Sequence, residues 1–502
     1  MSRYAQQCIR ATTGMGVGSL LVLLAGCASL APATPDSNAG LPAQYLNQTA
    51  DDAADAQAVA GLHWQQFFAD ARLRQLIGVA LENNRDLRLA ALRVQEAQAA
   101  YGIQRSQSLP TLAASAQASR SRTPADLSLT GQAITSSQWQ AGLGISSWEI
   151  DFWGRVASLN EAALQTFLAT DAARQAATLG LIGQVAQAYL GLRELDERLQ
   201  LAQASEASQR ESLRIFTRRF EVGAASRLEL TQVQTLLAQA QSLVVQLQQQ
   251  RAAQLHTLGI LLGSVVDVAA LPPAPLLADE AWLVPLQAGL PAALLQHRPD
   301  IVAAEHRLQA ARANIGAARA AFYPSIRLTA TGGTASQELE GLFKGAGRAW
   351  SFAPSLSLPI FDAGRNRANL NLTQVRQHMA VAEYENAIQN AFRDVSDALA
   401  ARQWLTQQVA VQQQALTVQR ERVRLSRLSY EHGASTFLEV LDAERSLLNV
   451  EQQLVQTRRA LLASQVSLYT ALGGGSQQVA PAPLLNEPAL PDTATQAFPL
   501  AN

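Results

Sequence analysis

The sequence repeats itself. Phe220-Glu-Val-Gly223-Ala-Ala-Ser226-Arg-Leu228-Glu229 returns as Tyr430-Glu-His-Gly433-Ala-Ser-Thr436-Phe-Leu438-Glu439. Asp86, Ala90, Arg93, Arg105 and Pro110 reappear at a fixed offset as Asp300, Ala304, Arg307, Arg319 and Pro324, and Gly154-Arg155 reappears as Gly364-Arg365. The agreement falls at helix ends, turns and strand entries. A chain of this kind must fold as one unit built, copied and joined.

The first residues say where that unit works. Arg3 and Arg10 flank a polar start, an apolar stretch runs from Gly14 to Leu24, and Leu24-Ala25-Gly26-Cys27 closes it. This pattern is a secretory signal with a lipobox. Cleavage before Cys27 makes that cysteine the first mature residue and the carrier of an acyl-glycerol anchor. Ala28, not aspartate, follows it, which resembles the outer-membrane address of bacterial lipoproteins. Cys8 leaves with the signal, so packing and not a disulfide must stabilise the fold.

Two periodicities fill each copy. From Arg155 to about Arg219 there is no proline, and apolar residues step by three and four through Ile182, Val185, Tyr189, Leu192, Leu195 and Leu199. The spacing predicts a helix of about 100 Å, repeated over 365–429, each followed by a shorter helix at 227–262 and 437–472. Such a helix must pack along its length in a coiled-coil-like wall. Ahead of each lie two segments of period two. Leu112, Ala114, Ala116 and Ala118, and then Trp139, Ala141, Leu143 and Ile145, alternate with small polar residues, as do Ile326, Leu328 and Ala330, and Trp350, Phe352, Leu356 and Leu358. These predict strands at 111–119, 137–148, 325–332 and 349–359, with polar links over Arg120–Ser137 and Gly333–Arg348. Apolar on one face and small-polar on the other is the pattern of a transmembrane barrel strand.

Four strands cannot close a barrel, and lipid does not tolerate open strand edges. Copies of the chain must therefore associate. Two copies give eight strands and a side-chain-filled interior; three give twelve and a conduit, which the small polar faces favour. After the signal no run of eighteen apolar residues occurs, so no membrane-spanning helix is expected. The mature chain balances 37 basic residues against 40 acidic ones, a near-neutral charge that argues against nucleic acid as a partner. The histidines, among them His63, His256, His306, His378 and His432, show no metal-ligand spacing, and no nucleophilic triad or phosphate loop stands out. The sequence points to no enzyme, no metal and no cofactor beyond the lipid on Cys27.

Here the residues resemble a known family, the TolC/OprM-type outer-membrane factors, in the lipidated branch that serves tripartite efflux pumps. The marks are Trp64-Gln-Gln-Phe67-Phe68-Ala-Asp70, Trp148-Glu-Ile-Asp151-Phe-Trp-Gly154-Arg155, Arg298-Pro299-Asp300-Ile301, Phe322-Tyr323-Pro324 and Pro359-Ile-Phe361-Asp362-Ala-Gly364-Arg365. The resemblance implies a mixed α and β membrane protein: a homotrimer whose twelve-stranded barrel, four strands per chain, continues into a twelve-helix periplasmic tunnel. It also implies an equatorial belt drawn from the N-terminal stretch, the linker and the tail. The expected division is a signal at 1–26, an anchored segment at 27–70, a first repeat at 71–262, a linker at 263–297, a second repeat at 298–472 and a tail at 473–502. The implied partners are a periplasmic adaptor, an inner-membrane pump of the RND type and outer-membrane lipid. The implied function is passive export of small molecules such as drugs. A duct for secreted polypeptides, and from another class a lipid-tethered structural coiled coil, are the alternatives.

Residue-level expectations centre on the helix tips. Gly223 and Gly433 end the long helices in a left-handed turn, and Ser226 and Thr436 cap the next ones; these turns are the expected adaptor contacts. By resemblance, Leu438 and Asp442 are the constricting apolar and acidic positions, Glu439 a second acidic position, and Tyr430 a tyrosine tying inner to outer helices. Leu438 and Asp442 lie at i and i+4, on one helical face. Threefold symmetry would stack an apolar ring beside an acidic ring whose carboxylates raise one another's pKa. Some family members carry arginine two residues after the turn glycine. Here that place is Ser435, which gives apolar closure by Leu438 more weight.

Overall fold

Two 67-residue helices dominate the fold, each launched from a left-handed glycine. The computed structural model describes residues 30–33, 40, 42, 45, 61–264, 276–278, 282–286 and 297–476; the signal, Cys27, most of the linker and the tail beyond 476 lie outside them. The helices are α1 (Trp64–Phe67), α2 (Ala71–Asn83), α3 (Arg85–Ser106), α4 (Arg155–Glu221), α5 (Arg227–Leu262), α6 (Pro299–Ala320), α7 (Arg365–Glu431) and α8 (Phe437–Ala471). The strands are β1 (Leu112–Thr123), β2 (Ile134–Ile150), β3 (Ser325–Ser336) and β4 (Arg348–Ser357). None of the described helices is long and apolar enough to cross a membrane.

The four strands form one antiparallel sheet in the order β1-β2-β3-β4. Strands β1 and β3 run farther than their alternation signalled, to Thr123 and Ser336, so the links are shorter than expected. Arg120–Thr123 pair with Ile134–Ser137 although their side chains are polar, because ladder hydrogen bonds belong to the backbone and not to hydrophobicity. A bulge after Ile145, with Ser147 at φ 53°, advances β2 by three residues while β3 advances by two. That extra residue re-phases the strand. Trp148 and Ile150 therefore join Ile145, Leu143 and Trp139 on the apolar face, with Trp350, Phe352 and Leu356 from β4. The opposite face carries Ser115, Gln117, Gln140, Thr331 and Ser351, with Thr331 and Ser351 hydroxyls 2.6 Å apart.

At the corner between sheet and long helix, an aspartate substitutes for the missing turn. Asp151 accepts from Ala157 N–H at 2.8 Å, and Asp362 accepts from Asn366 N–H at 2.9 Å. Gly154 (φ 69°) and Gly364 (φ 86°) make the left-handed step between them, which the motifs Asp-Phe-Trp-Gly-Arg and Asp-Ala-Gly-Arg encode locally. Arg155 grips Glu149 of β2 through two hydrogen bonds of 2.7 and 2.8 Å. Trp153 stacks on Tyr323 at 4.7 Å and donates to the Pro324 carbonyl, fastening one half of the chain to the other.

At each level the helical wall is four helices wide. Helix α4 packs on α3 and α5 on one side and on α6 and α8 on the other, and α7 packs on α6 and α8 beyond. Helices α5 and α3 meet end to end, as do α8 and α6. Asn84 seals the first joint, donating to the Leu261 carbonyl at 2.8 Å while accepting from Leu87 N–H. Arg298 seals the second, donating to the Ala471 carbonyl at 3.2 Å and to Asp394 at 2.8 Å. The main core lies at this level, where Phe67 stacks on Tyr469 at 4.3 Å beside Phe68, Tyr189 and Trp282. A bridge between Phe68 and Leu283 brings the described part of the linker onto the same core.

Burial alone would raise the Asp394 pKa, but Arg298 and Arg393 hold the carboxyl below its ordinary value. Its folded pKa is depressed, so its contribution is complete above the unfolded value of about 3.9 and is lost as pH falls through the folded one. Between pH 6 and pH 3 the melting temperature should fall further in the wild type than in Asp394→Asn. Equal falls in a thermal scan would remove Asp394 from the joint's stability.

Candidate gate at the helix tips

The tips are two helix hairpins laid side by side. Helix α4 ends as Gly223 (φ 74°) turns the chain, letting Ala224 N–H reach back to the Arg219 carbonyl at 2.7 Å; Gly433 (φ 73°) and Ala434 repeat this on α7, reaching Ser429 at 2.9 Å. A side chain at φ near +70° would be strained, so glycine ends both helices. Ser226 then caps α5 in a capping box. Its hydroxyl accepts from Glu229 N–H at 3.2 Å, and the Glu229 carboxylate accepts from Ser226 N–H at 2.7 Å. Those bonds to Ser226 hold the Glu229 carboxyl below its ordinary pKa.

Thr436 departs from expectation. It occupies the N-cap of α8 but makes no side-chain cap hydrogen bond. Glu439 N–H instead bonds the Thr436 backbone carbonyl at 3.2 Å. The first turn is tighter here because Phe437, where the first hairpin has Arg227, turns inward onto Phe216 at 4.5 Å and Tyr430 at 5.0 Å. Packing has taken the place of a cap.

That aromatic cluster fastens one hairpin to the other. Phe216, Val233 and Leu441 are buried together with Phe437 against them. The Arg219 guanidinium of α4 lies 5.3 Å over the Phe216 ring and 5.9 Å from the Tyr430 ring, and donates to the Tyr430 hydroxyl. Tyr430 thus ties α7 to α4, and the residue that receives it, Arg219, was not singled out in the sequence. The only local signal was the arginine pair Arg218-Arg219 before the turn.

On α8, Leu438 (52%) and Glu439 are exposed and Asp442 is half-buried, whereas Val440, Leu441 and Ala443 are buried. The carboxylate of Asp442 is not bare. Arg422 of α7 reaches one oxygen at 2.8 Å and Arg445 the other at 2.7 Å. Glu444, two residues on, accepts from Arg427 of α7 at 3.1 Å and from Gln209 of α4 at 3.3 Å, joining three helices. Of the two acidic residues expected at the gate, Asp442 is paired within the chain, to Arg422 of α7 and to Arg445 of its own helix. The Ser435 hydroxyl is buried with no hydrogen-bond partner. Among the described residues no His, Cys, Asp and Glu cluster has the geometry of a metal site.

The model for outer membrane efflux proteins matches residues 76–264 and 290–474, one match over each half of the chain. The chain belongs to that family. The toluene efflux pump outer membrane protein TtgF of Pseudomonas putida is 45% identical to this efflux protein over 425 residues, 85% of this chain and 88% of that one. The antibiotic efflux pump outer membrane protein ArpC of Pseudomonas putida is 42% identical over 434 residues, 86% and 88% of the two chains. The crystal structure of the open state of the Neisseria gonorrhoeae MtrE outer membrane channel superposes with a TM-score of 0.81 at 38% identity. It covers 89% of this efflux protein and 99% of the MtrE chain. This efflux protein is accordingly an outer-membrane component of an efflux system, a channel and not an enzyme by family, with its helices extending into the periplasm.

Proposed function

We propose that three copies of this chain close into one exit duct, a twelve-stranded barrel continuous with a twelve-helix tunnel, gated at the tips by Leu438, Glu439 and Asp442 with Tyr430. The observation that carries this is a pair of matching open edges. One edge of the strip is β1 with α3 and α5, and the other is β4 with α7. Along α7, Trp404, Val411, Val418 and Leu425 recur every seventh residue and are 58, 65, 69 and 48% exposed. A heptad apolar row left in water is a coiled-coil seam without its partner. The opposite edge exposes Leu228, Val245 and Ile260 on α5, at the same tip-side level, and Leu89, Leu92 and Ile103 on α3 at the membrane side, across from Leu372, Val375 and Met379 of α7. Edge meeting unlike edge is a heterologous contact, which forms a ring when the rotation closes. With four strands and four helices at every level, three copies give twelve of each and a polar lumen lined from Ser115, Gln117, Gln140 and Thr331.

The apolar sheet face then meets lipid, and an acyl anchor on Cys27 adds a second attachment. The duct itself binds no energy source. It receives small molecules from a periplasmic adaptor docked at the Gly223 and Gly433 turns and from an RND-type inner-membrane pump. Toluene and antibiotics, which relatives are named for, are the substrate classes to test. A strain lacking this chain should become sensitive to both, and the wild-type chain should restore resistance. Purified protein should run as a detergent-resistant trimer that dissociates on heating and should conduct ions in planar bilayers. A monomeric, non-conducting protein that still restores resistance would overturn the duct.

A further inference from the structure

We propose that α6 carries a backbone-reading cradle, Arg312, Gly316 and Arg319, which clamps the segment just after the anchor cysteine and sets the depth at which the lipid enters the membrane. Arg312 Nε donates to the Pro32 carbonyl at 2.6 Å, and Arg319 Nη1 donates to the Leu30 carbonyl at 3.0 Å. The three cradle residues stand at i, i+4 and i+7, one face of the helix. The two carbonyls belong to residues i and i+2 of the strap. Between them the Ala31 backbone lies directly over Gly316, where an added Cβ would sit 3.1 Å from Ala31 N and 2.8 Å from Ser158 Oγ. Glycine is needed here for close approach, not for its φ. Both arginine contacts go to main-chain carbonyls, so they fix the position of the strap whatever its side chains are.

The direction of the strap gives the consequence. Helix α6 runs toward the sheet, ending at Ala320 five residues before β3 begins. The strap crosses it in the opposite sense, with Leu30 at the sheet end, so the chain toward Cys27 leaves at the membrane side. Three residues reach at most about 11 Å. Four residues beyond Arg319 stands Tyr323, stacked on Trp153, with Phe152, Phe322 and Phe361 exposed at the same corner. These aromatics, which suit the headgroup boundary of a bilayer, lie on the side from which Leu30 is reached, and a lipid carried three residues before Leu30 would enter the membrane at a depth limited by that reach. The matching face of α3 has Gln98 in place of Arg312, and a Cβ on Gly102 would meet nothing within 4 Å. One copy of the repeat has been adapted to hold the strap and the other has not.

The depth-setting role rests on lipidation of Cys27, and the cradle itself does not. The test places a single thiol at Ala31→Cys and follows its reaction with a maleimide in isolated outer membranes, with the chain lacking that thiol as background. Arg312→Gln with Arg319→Gln, and separately Gly316→Leu, should each speed labelling about tenfold or more, as opening of a clamped segment would. Rates equal to wild type in both would overturn the cradle. Arg319→Gln alone, which keeps one clamp, should fall between and serves if the double variant is not recovered in the membrane. Incorporation of a clickable fatty acid, abolished by Cys27→Ala, reads the lipid separately. Its absence from the wild type would remove the depth-setting role whatever the labelling rates.

Discussion

Val411→Asp with Val418→Asp is expected to leave the chain folded and unable to form trimers. Both side chains are exposed in the single chain, so the substitutions disturb no packing within it. In the proposed ring each valine is buried against the neighbouring α5, and each replacement forfeits about 1.5–3 kcal/mol of apolar burial per interface. It also places a carboxylate in an apolar seam, which costs several kcal/mol more. With three equivalent interfaces, the loss exceeds what a marginally stable assembly tolerates. The heat-dissociable trimer band should vanish, the helical circular dichroism should persist, and a deletion strain should not regain toluene or antibiotic resistance. A full trimer with full resistance would show that α7 faces water or the lumen at this level and that the seam lies elsewhere.

The second large effect is expected at the tips. Leu438→Ala with Asp442→Ala should raise single-channel conductance several-fold in planar bilayers. The first substitution removes the exposed apolar collar, and the second frees Arg422 and Arg445 from the carboxylate that joins α8 to α7. Arg422→Ala should reproduce part of the increase while leaving every acidic residue in place. That variant reads the ion pair between α7 and α8 alone, since every carboxylate stays in place. Arg219→Ala should also favour the open form by releasing Tyr430 from α4. Unchanged conductance in the double variant and in Arg219→Ala would remove these residues from the gate.

Much of this architecture was written in the sequence because its signals are local. Helix against strand follows from a period of 3.6 or 2 read within a dozen residues. The turns at Gly223 and Gly433 follow from one residue's freedom at positive φ. The corners at Gly154 and Gly364 follow from an aspartate a few residues earlier in the chain. Where two local signals competed, the reading failed. Thr436 looked like a cap equal to Ser226, but Phe437 beside it was drawn into an aromatic cluster built from α4 and α7. The polar ends of β1 and β3 looked like loops, since alternation cannot register a ladder that continues under polar side chains.

What the sequence determined alone is the kind and order of the parts and the membrane they belong to. What only the tertiary structure decided is which charges meet. Arg219 lies 211 residues from Tyr430, Arg319 lies 289 from Leu30, and Arg298 lies 96 from Asp394. Their partnership depends on how helices are rotated and slid along one another. An arginine's pattern in the chain fixes its helical face, but its charge is satisfied by whatever the fold brings within reach, and that is set by packing over the whole length of the wall.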